Sequence, residues 1–412
     1  MRGALPLRSA RASGRSIAEP GPLAERIAAA LRGRTPVARR YFAANAAAIA
    51  GAARAVAERL RAGGRIYAFG RGAYATDAQH VAVEFVHPVL VGKPALPASD
   101  LSASFEASLP VLITGRDVAV GFGPPEGDAA VARALAGAHA LGAYTIAFPG
   151  TDADFASPRA SDDEHVHQEI VEIAGHMLYE SVHVFLESQH RESDAGAAAF
   201  LYPFLGGAQQ APEALLREVA ASIAGKAADA EALRERVAAE ESDAIAAAAL
   251  TIARRLAAGG RLLLFGNGGS ATDASDWALD CVQPPPGLRA IPALSLAAEA
   301  ATLTAIANDV GRDFVFSRQL IAHAGPHDVI VALSTSGGSA NVIAALEEAR
   351  KRGNATVALL GYDGGEIRRR SLADHAIVVR SDYVPRVQEA QAAVYHTLRY
   401  ACEWARAILT KA

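Results

Sequence analysis

The chain contains one long internal repeat, which limits its possible folds more than any other feature. The segment GRGAYATDAQHVAVE at residues 70–84 returns as GNGGSATDASDWALD at residues 266–280, an offset of 196. Further along, Asp117 of the first copy matches Asp328 of the second at an offset of 211. The offset reaches 220 near the end of each copy. A chain of 412 residues is too long for one ordinary core. The repeat therefore predicts two domains of one ancestral fold, with insertions in the second copy.

Each copy alternates short apolar strands with amphipathic helices. In both copies a Gly-Gly-Arg sequence ends a helix and leads into a short strand, IYAFG in the first and LLLFG in the second. This pattern is typical of βαβ units and predicts α/β domains, each with a doubly wound parallel sheet covered on both faces. We expect a long helical hairpin before each sheet, because residues 211–256 keep a nearly unbroken helical pattern.

The predicted domain boundaries follow changes in composition. Residues 1–22 are rich in Arg and Ala, and we expect a disordered tail there. Small residues, a Gly-Gly pair and Pro place a linker at 191–210. The first domain then occupies residues 23–190 and the second occupies residues 211–412.

The bulk composition excludes several classes of function. A net charge of -4 gives no electrostatic reason for nucleic-acid binding, and no apolar run is long enough to span a bilayer. The two cysteines, Cys281 and Cys402, form no C-x-x-C pair, so neither a disulfide framework nor a thiolate zinc site is expected. We therefore predict a cytoplasmic protein that binds neither nucleic acid nor membranes.

Two loops of the second copy are suited to bind an anion. GNGGS, residues 266–270, follows a strand and opens a helix, so backbone N–H groups and the helix dipole face the carboxyl edge of the sheet. STSGGSAN, residues 334–341, repeats this arrangement and adds hydroxyl groups. A single loop of this kind is often only a tight turn with a capping Ser or Thr. Two of them on one sheet edge predict a phosphate cradle.

Five motifs of the second copy, taken in order, resemble the sedoheptulose-7-phosphate isomerases (phosphoheptose isomerases) of the sugar isomerase (SIS) superfamily. The motifs are GNGGS, TLTAIANDVGRDFVFSRQ (302–319), STSGGSAN, GYDGG (361–365) and PRVQEAQAAVYH (385–396). The resemblance covers essentially all of residues 211–412, and the first copy is a degenerate SIS domain. It implies an aldose-ketose isomerase that converts sedoheptulose 7-phosphate to D-glycero-D-manno-heptose 7-phosphate through an enediol, in heptose biosynthesis.

The resemblance also implies how the phosphorylated sugar is bound. The family's substrate contacts fall on Asn267, Gly268, Gly269, Ser270, Asn308, Asp309, Ser334, Thr335, Ser336, Ser339 and Gln388. One divalent metal, zinc in the family, is implied as well, and no nucleotide cofactor. Because the family forms tetramers and this chain carries two SIS domains, we expect a homodimer with four SIS domains.

The acid-base and metal positions of the family differ between the two copies. In the family a Glu and a His move protons, and these side chains with a second His and a Gln can hold zinc. The first copy keeps the family's residue types, at His80, Glu84, Gln168 and His176. The second copy reads Asp276, Asp280, Gln388 and His396. Asp at both helix positions shortens the base and favours harder ions than zinc, so the catalytic candidates are Asp280, His396, Glu84 and His176.

Three interpretations of the first copy stay open. Its loops have lost the phosphate pattern, since GRGAY replaces GNGGS and GFGPPEGDAA stands in place of STSGGSAN. The first copy is either a structural partner, or the donor of Glu84 and His176 to a site shared with the Ser334 loop, or a metal site without a sugar. The altered acid-base pair also leaves a second function open, a non-catalytic phosphosugar-binding regulator or assembly protein.

Overall fold

The structure is a computed structural model, and it describes residues 21–88, 92–188 and 212–411. Residues 1–20 of the predicted tail and the whole predicted linker lie outside these ranges, so both stay predictions. The first described helix begins at Gly21, two residues before the predicted start of the first domain at residue 23. Among the described helices, none is both long enough and apolar enough to cross a membrane.

Five parallel strands form the sheet of the first half. They are β1 (Ile66–Phe69), β2 (Ala98–Asp100), β3 (Val118–Phe122), β4 (Tyr144–Phe148) and β5 (Phe155–Ala156). Their spatial order is β2-β1-β3-β4-β5. The surrounding helices are α1 (Gly21–Gly33), α2 (Thr35–Arg61), α3 (Tyr74–Val86), α4 (Phe105–Leu112), α5 (Ala129–Ala140) and α6 (Glu164–Glu187).

The second half repeats this topology. Its strands are β6 (Leu262–Phe265), β7 (Ala293–Ser295), β8 (Val329–Ser334), β9 (Ala355–Gly361) and β10 (His375–Val379). The order β7-β6-β8-β9-β10 matches that of the first sheet, and every pairing is parallel. The helices are α7 (Pro212–Glu240), α8 (Ser242–Ala257), α9 (Gly269–Val282), α10 (Ala300–Asp309), α11 (Val315–His323), α12 (Ala340–Lys351), α13 (Gly365–Arg369) and α14 (Val384–Lys411). The predicted fold class is confirmed.

The hairpins α1–α2 and α7–α8 exchange helices between the two cores. Leu23, Ile27 and Leu31 of α1 are buried in the core that surrounds the second sheet. Conversely, Val219 and Ile223 of α7 are buried in the core of the first half. Each hydrophobic core is therefore completed by a helix from the other half, and the two halves pack as one body.

Helix α10 accounts for the longer second copy. In the first half, α4 is the helix that connects β2 to β3, whereas the second half passes through α10 and α11 between β7 and β8. Helix α10 buries none of its residues. The insertion that carries Asn308 and Asp309 is therefore a surface helix added to the repeated unit.

Candidate active site between the two halves

The two phosphate-pattern loops lie side by side at the carboxyl ends of neighbouring strands β6 and β8. The side chains of Asn267 and Asn341 join the loops by two hydrogen bonds, of 2.9 and 2.8 Å. Within the second loop, Gly337 donates its N–H to Ser334 Oγ at 3.1 Å. The two loops form one continuous surface at the sheet edge, as the sequence pattern predicts.

The helices that follow these loops begin without side-chain caps. The side chain of Ser339, the residue before α12, accepts no hydrogen bond from the first-turn amides. The residue before α9 is Gly268, which has no side chain to act as a cap. The corresponding helix of the first half, α5, is capped by Asp128, whose carboxylate accepts from the N–H groups of Ala130 and Val131 at 2.7 and 3.0 Å. An anion can use the free amides of the second half, whereas Asp128 already occupies and charges the equivalent position of the first.

The predicted loop residues differ in exposure. Asn267, Gly268 and Ser336 are exposed, and Gly269 is half-buried. The other positions of the two loops are half-buried or buried, at Thr335, Ser339, Ser270 and Ser334. The outer face of the cradle is therefore open to solvent and its inner face lies in the protein.

A buried group that we call the shared cluster lies between the halves and contains His80, Glu84 and His176. The Nε2 atoms of His80 and His176 are 3.3 Å apart. Glu84 Oε1 is 3.4 Å from His176 Nε2 and 3.9 Å from His80 Nε2. The Nδ1 atoms face the second half: His80 Nδ1 lies 3.1 Å from Thr272 Oγ1, and His176 Nδ1 lies 2.9 Å from Glu389 Oε1. The second half therefore orients both imidazole rings.

Glu84 and His176 of the shared cluster each stabilise the ionised form of the other. Burial acts to raise the pKa of Glu84, but His176 and His80 bring that pKa below its ordinary value. Burial acts to lower the pKa of His176, but Glu84 and Glu389 raise it well above its ordinary value. At neutral pH the cluster holds an ionised carboxylate against a protonated imidazole, a pair suited to accept and donate protons.

Gly269 brings the first phosphate loop against the shared cluster. A Cβ at this position would lie 1.9 Å from Gln388 Nε2 and 3.0 Å from His80 Nε2. A glycine here leaves room for both side chains, so a loop of the second half directly borders an imidazole of the first. Gln388 is 2% exposed, and its Oε1 is a buried atom without a hydrogen-bond partner among the described residues.

A second cluster occupies the related position in the other half and contains Asp276, Asp280 and His396. His396 Nε2 lies 3.1 Å from Asp280 Oδ2 and 3.5 Å from Asp276 Oδ2. Its Nδ1 lies 3.0 Å from Oε1 of Glu169, which belongs to the first half. Each cluster therefore contains a histidine held by a glutamate of the opposite half.

The ligand atoms of the second cluster lie within 4.8 Å of one another, so they could also hold a cation, but hydrogen bonds already occupy one of its carboxylates. Asp276 accepts from Thr76 at 2.9 Å, from Gln168 at 2.8 Å and from Tyr395 at 2.7 Å. Burial, followed by the charge of Asp276, raises the pKa of Asp280 to about 6. The arrangement around Asp276 resembles a bonded network more than an open site. The first-half loop beside it is the one that contains Ala73, whose carbonyl accepts from Gln168 at 3.5 Å.

The two glutamines of the predicted metal sets are exchanged between the clusters. Gln168 donates to Asp276 in the second cluster, whereas Gln388 lies beside His80 in the shared cluster. Each glutamine precedes a histidine by eight residues, which is about 12 Å along a helix axis. Helices α6 and α14 pack against each other, so each one reaches one cluster with its histidine and the other cluster with its glutamine.

The shared cluster has the donors and spacing that a divalent cation requires. Ligand atoms about 2.1 Å from a tetrahedral zinc ion lie about 3.4 Å from one another, close to the 3.3, 3.4 and 3.9 Å measured here. A carboxylate on the far nitrogen of a metal-bound histidine is common, and Glu389 supplies one to His176. Glu84 Oε1 is buried and has no hydrogen-bond partner among the described residues. The residues fit a metal ion, whose identity as zinc stays a prediction.

Two of the predicted substrate residues lie away from the buried clusters. Asn308 and Asp309 are exposed on α10, and the Asn308 amide donates to Asp309 at 2.7 Å. The structure therefore brings together the two loops, Gln388 and the shared cluster, and leaves the α10 pair at the surface.

Three glutamates of the site were not identified as functional from the sequence. Glu169 and Glu389 were visible only as the repeated Gln-Glu pair, although each one holds a histidine of the other half. Glu172 lies four residues from both Gln168 and His176, and its ligand oxygen lies within 4.8 Å of the ligand nitrogens of His80 and His176. Spacing of four places side chains on one helix face, and that signal could have identified Glu172.

We expect Glu169→Ala to destabilise the protein by about 3 kcal/mol at pH 7, because it removes one partner of a buried charged network. Arg34 Nε donates to Glu169 Oε2 at 2.7 Å and to Oε1 at 2.9 Å, and both residues are buried. Burial opposes ionisation, but Arg34 and His396 lower the pKa of Glu169 from 4.5 to about 2. Its stabilising effect is present above pH 4.5 and is lost as the pH falls towards 2.

Urea denaturation at pH 7 and at pH 3 measures this effect, and the difference between wild type and variant should shrink at pH 3. Glu213→Ala is the control, because Glu213 pairs with Arg54 at 3.5 Å on the exposed surface and should cost about 0.5 kcal/mol or less. Equal stability of Glu169→Ala and wild type at pH 7 contradicts the prediction.

The sequence profile of the family described as SIS domain matches residues 32–117 and 227–361. A phosphoheptose isomerase of Solidesulfovibrio magneticus is 44% identical over 181 residues, which is 43% of this chain and 85% of that protein. A phosphoheptose isomerase of Geobacter sp. (strain M21) is 46% identical over 160 residues, covering 39% of this chain and 82% of that protein.

A solved structure shows the same fold over nearly the whole chain. The tagatose-6-phosphate ketose/aldose isomerase of Escherichia coli matches with a TM-score of 0.57 at 13% identity, covering 92% of each chain. At this identity the likeness concerns the fold alone. The sequence relatives, by contrast, confirm the predicted resemblance and the predicted enzyme class. The chain therefore belongs to the SIS domain family, as an enzyme of the isomerase class that is homologous to phosphoheptose isomerases.

Proposed function

We propose that this protein is a phosphosugar aldose-ketose isomerase with an active site shared by its two halves. The observation that carries the proposal is the contact at Gly269, where the phosphate loop of the second half borders His80 of the first half. Either half alone holds only part of a site. Together, the shared cluster, Gln388 and the two loops supply the family's acid-base, metal and loop positions, without the α10 pair Asn308 and Asp309.

The proposed substrate is sedoheptulose 7-phosphate, and the product is D-glycero-D-manno-heptose 7-phosphate. The relatives named phosphoheptose isomerase support this sugar, because they are 44% and 46% identical over 43% and 39% of this chain. The free amides that open α9 and α12, together with the hydroxyls of Ser334 and Ser336, are suited to bind the phosphate. The cradle has no charged side chain within the loops, so the helix ends supply its attraction for the anion.

In the proposed reaction Glu84 takes a proton from C1 of the ketose, which gives an enediol, and returns a proton to C2. His176, held in its protonated form by Glu84 and Glu389, gives a proton to the C2 oxygen as the enediol forms and takes one back from the C1 hydroxyl as C2 is protonated. One proton thus moves from C1 to C2 and one from the C1 oxygen to the C2 oxygen. General acid-base catalysis of this kind contributes about 10² to 10⁴-fold.

His80, His176 and Gln388 are suited to hold a divalent cation at this site, since the two Nε2 atoms face each other and Gln388 Oε1 lacks a partner among the described residues. Such a cation would replace the Nε2 proton of His176, because a ligating imidazole is neutral, and it would polarise the carbonyl oxygen of the sugar in place of that proton. We propose a structural role for Asp280 and His396, because hydrogen bonds from Thr76, Gln168 and Tyr395 occupy the carboxylate of Asp276 beside them. The homodimer and the cytoplasmic location expected from the sequence stay predictions.

Turnover of sedoheptulose 7-phosphate by the purified chain tests the proposal, measured by NMR with and without added divalent metal. Ser336→Ala should raise KM about tenfold, because the loss of one hydrogen bond to a charged group costs about 1.5 kcal/mol. Ser104→Ala, at an exposed residue of the first half, is the control and should leave KM unchanged. Binding of the sugar without turnover under any metal condition would exclude the isomerase and leave a phosphosugar-binding regulator.

A further inference from the structure

Two carboxylates approach the imidazole pair of the shared cluster. Glu84 Oε1 lies 3.4 and 3.9 Å from the two Nε2 atoms. Glu172 approaches the same two histidines, since its ligand oxygen and their ligand nitrogens lie within 4.8 Å of one another. Glu84 and Glu172 therefore both lie beside the pair formed by His80 and His176. All four side chains line one small cavity between α3 and α6.

The carboxyl group of Glu172 forms no close ion pair among the described residues. Its Oε1 is a buried atom with no hydrogen-bond partner among the described residues, and the same is true of Glu84 Oε1. Further carboxyl groups surround the cavity, because Asp77 lines it and Asp273 lies 3.5 Å from His80. A buried carboxylate without a partner is costly, and a cation in the cavity would relieve that cost.

Glu172 has no equivalent in the second cluster. It corresponds to Ala392 at the offset of 220 that relates the end of each half. Glutamate at this position is therefore a feature of the first half alone, in which the helix α6 presents Glu172 one turn before His176. The repeat itself supplies alanine as the matched replacement.

We propose that Glu172 is a further ligand of the divalent cation in the shared cluster, and that it makes this site favour manganese-type ions relative to a site without it. The inference rests on the proposed function for the place of the cation. Two imidazoles, two carboxylates and the Gln388 oxygen give five donors, more than the four of a usual protein zinc site. Oxygen-rich sets of five or six ligands suit Mn²⁺. Two ionised carboxylates also balance the charge of one divalent ion.

The test compares the affinities of the wild-type chain, Glu172→Ala and Glu172→Gln for Mn²⁺ and Zn²⁺, by calorimetry and by the rise in Tm that each metal produces. We expect Glu172→Ala to lower the affinity for Mn²⁺ about 100-fold and the affinity for Zn²⁺ about tenfold or less, because Zn²⁺ retains a four-donor set. Glu172→Gln keeps the shape of the side chain and serves if the alanine variant does not fold. Without metal, the Tm of both variants should equal or exceed that of wild type.

Two results overturn the inference. One is an affinity for Mn²⁺ within threefold of wild type in a folded Glu172 variant. The other is an equal loss of affinity for both metals, which would remove the role in selectivity. Failure of the proposed function looks different, since the wild-type chain would then turn over no phosphosugar while its Mn²⁺ binding still depended on Glu172.

Discussion

Glu84→Gln is expected to lower kcat/KM for sedoheptulose 7-phosphate by about 10³-fold, whereas Asp280→Asn should change it by about threefold or less. Glu84 is an ionised carboxylate beside His176, in the cluster that borders the phosphate loop at Gly269. Asp280 belongs to the second cluster, where hydrogen bonds from Thr76, Gln168 and Tyr395 occupy the neighbouring Asp276. The amide keeps the size of either side chain and removes its ability to take a proton.

Initial-rate kinetics on the two variants check this result, with the Tm of each one measured in parallel. Both residues occupy the same position of the repeat, so each variant is the matched control of the other. Equal losses from both variants would indicate that both clusters take part in turnover. A loss confined to Asp280→Asn would place the chemistry in the second half and contradict the shared site.

Gly269→Ala is expected to lower kcat/KM by about 10²-fold with little change in Tm, because a displacement of about 1 Å in a reacting group can cost that factor. The added methyl group would lie 1.9 Å from Gln388 Nε2 and 3.0 Å from His80 Nε2, so both side chains must move. Position 269 opens helix α9, where alanine is compatible with the backbone.

The repeat supplies the control for this variant, because residue 73 is its counterpart and is already alanine. Ala73→Gly, in the loop of the first half, should leave kcat/KM within about twofold and lower stability by about 1 kcal/mol or less. Steady-state kinetics gives kcat/KM of both variants, and thermal denaturation gives their Tm. Wild-type activity in Gly269→Ala would show that the loop and the shared cluster do not work together.

The repeat predicted the architecture correctly because strand and helix patterns are local. Apolar strands followed by glycine turns predicted both parallel sheets, and the offset of 211 correctly aligned β3 with β8. The loss of the phosphate pattern from the first copy was equally visible. The structure adds a physical reason, since Asp128 caps the helix end that would otherwise face an anion.

The partners of individual side chains were less predictable. Spacing within α6 suggested that Gln168 and His176 serve one set, but two helical turns separate them and they reach different clusters. The bond from Glu389 to His176 joins two helices of different halves, so no local pattern could show it.

By itself, the sequence determined that the chain folds as two related α/β domains, that the second carries the loops with the family's phosphate pattern, and that the first keeps the family's His and Glu. The tertiary structure decided that Gly269 meets His80, that Gln388 and Gln168 exchange clusters, and that Glu172 faces the imidazole pair. The reason is physical. Periodicity along a helix fixes which side chains share a face, but the partner of that face depends on how two hydrophobic cores exchange helices and pack against each other.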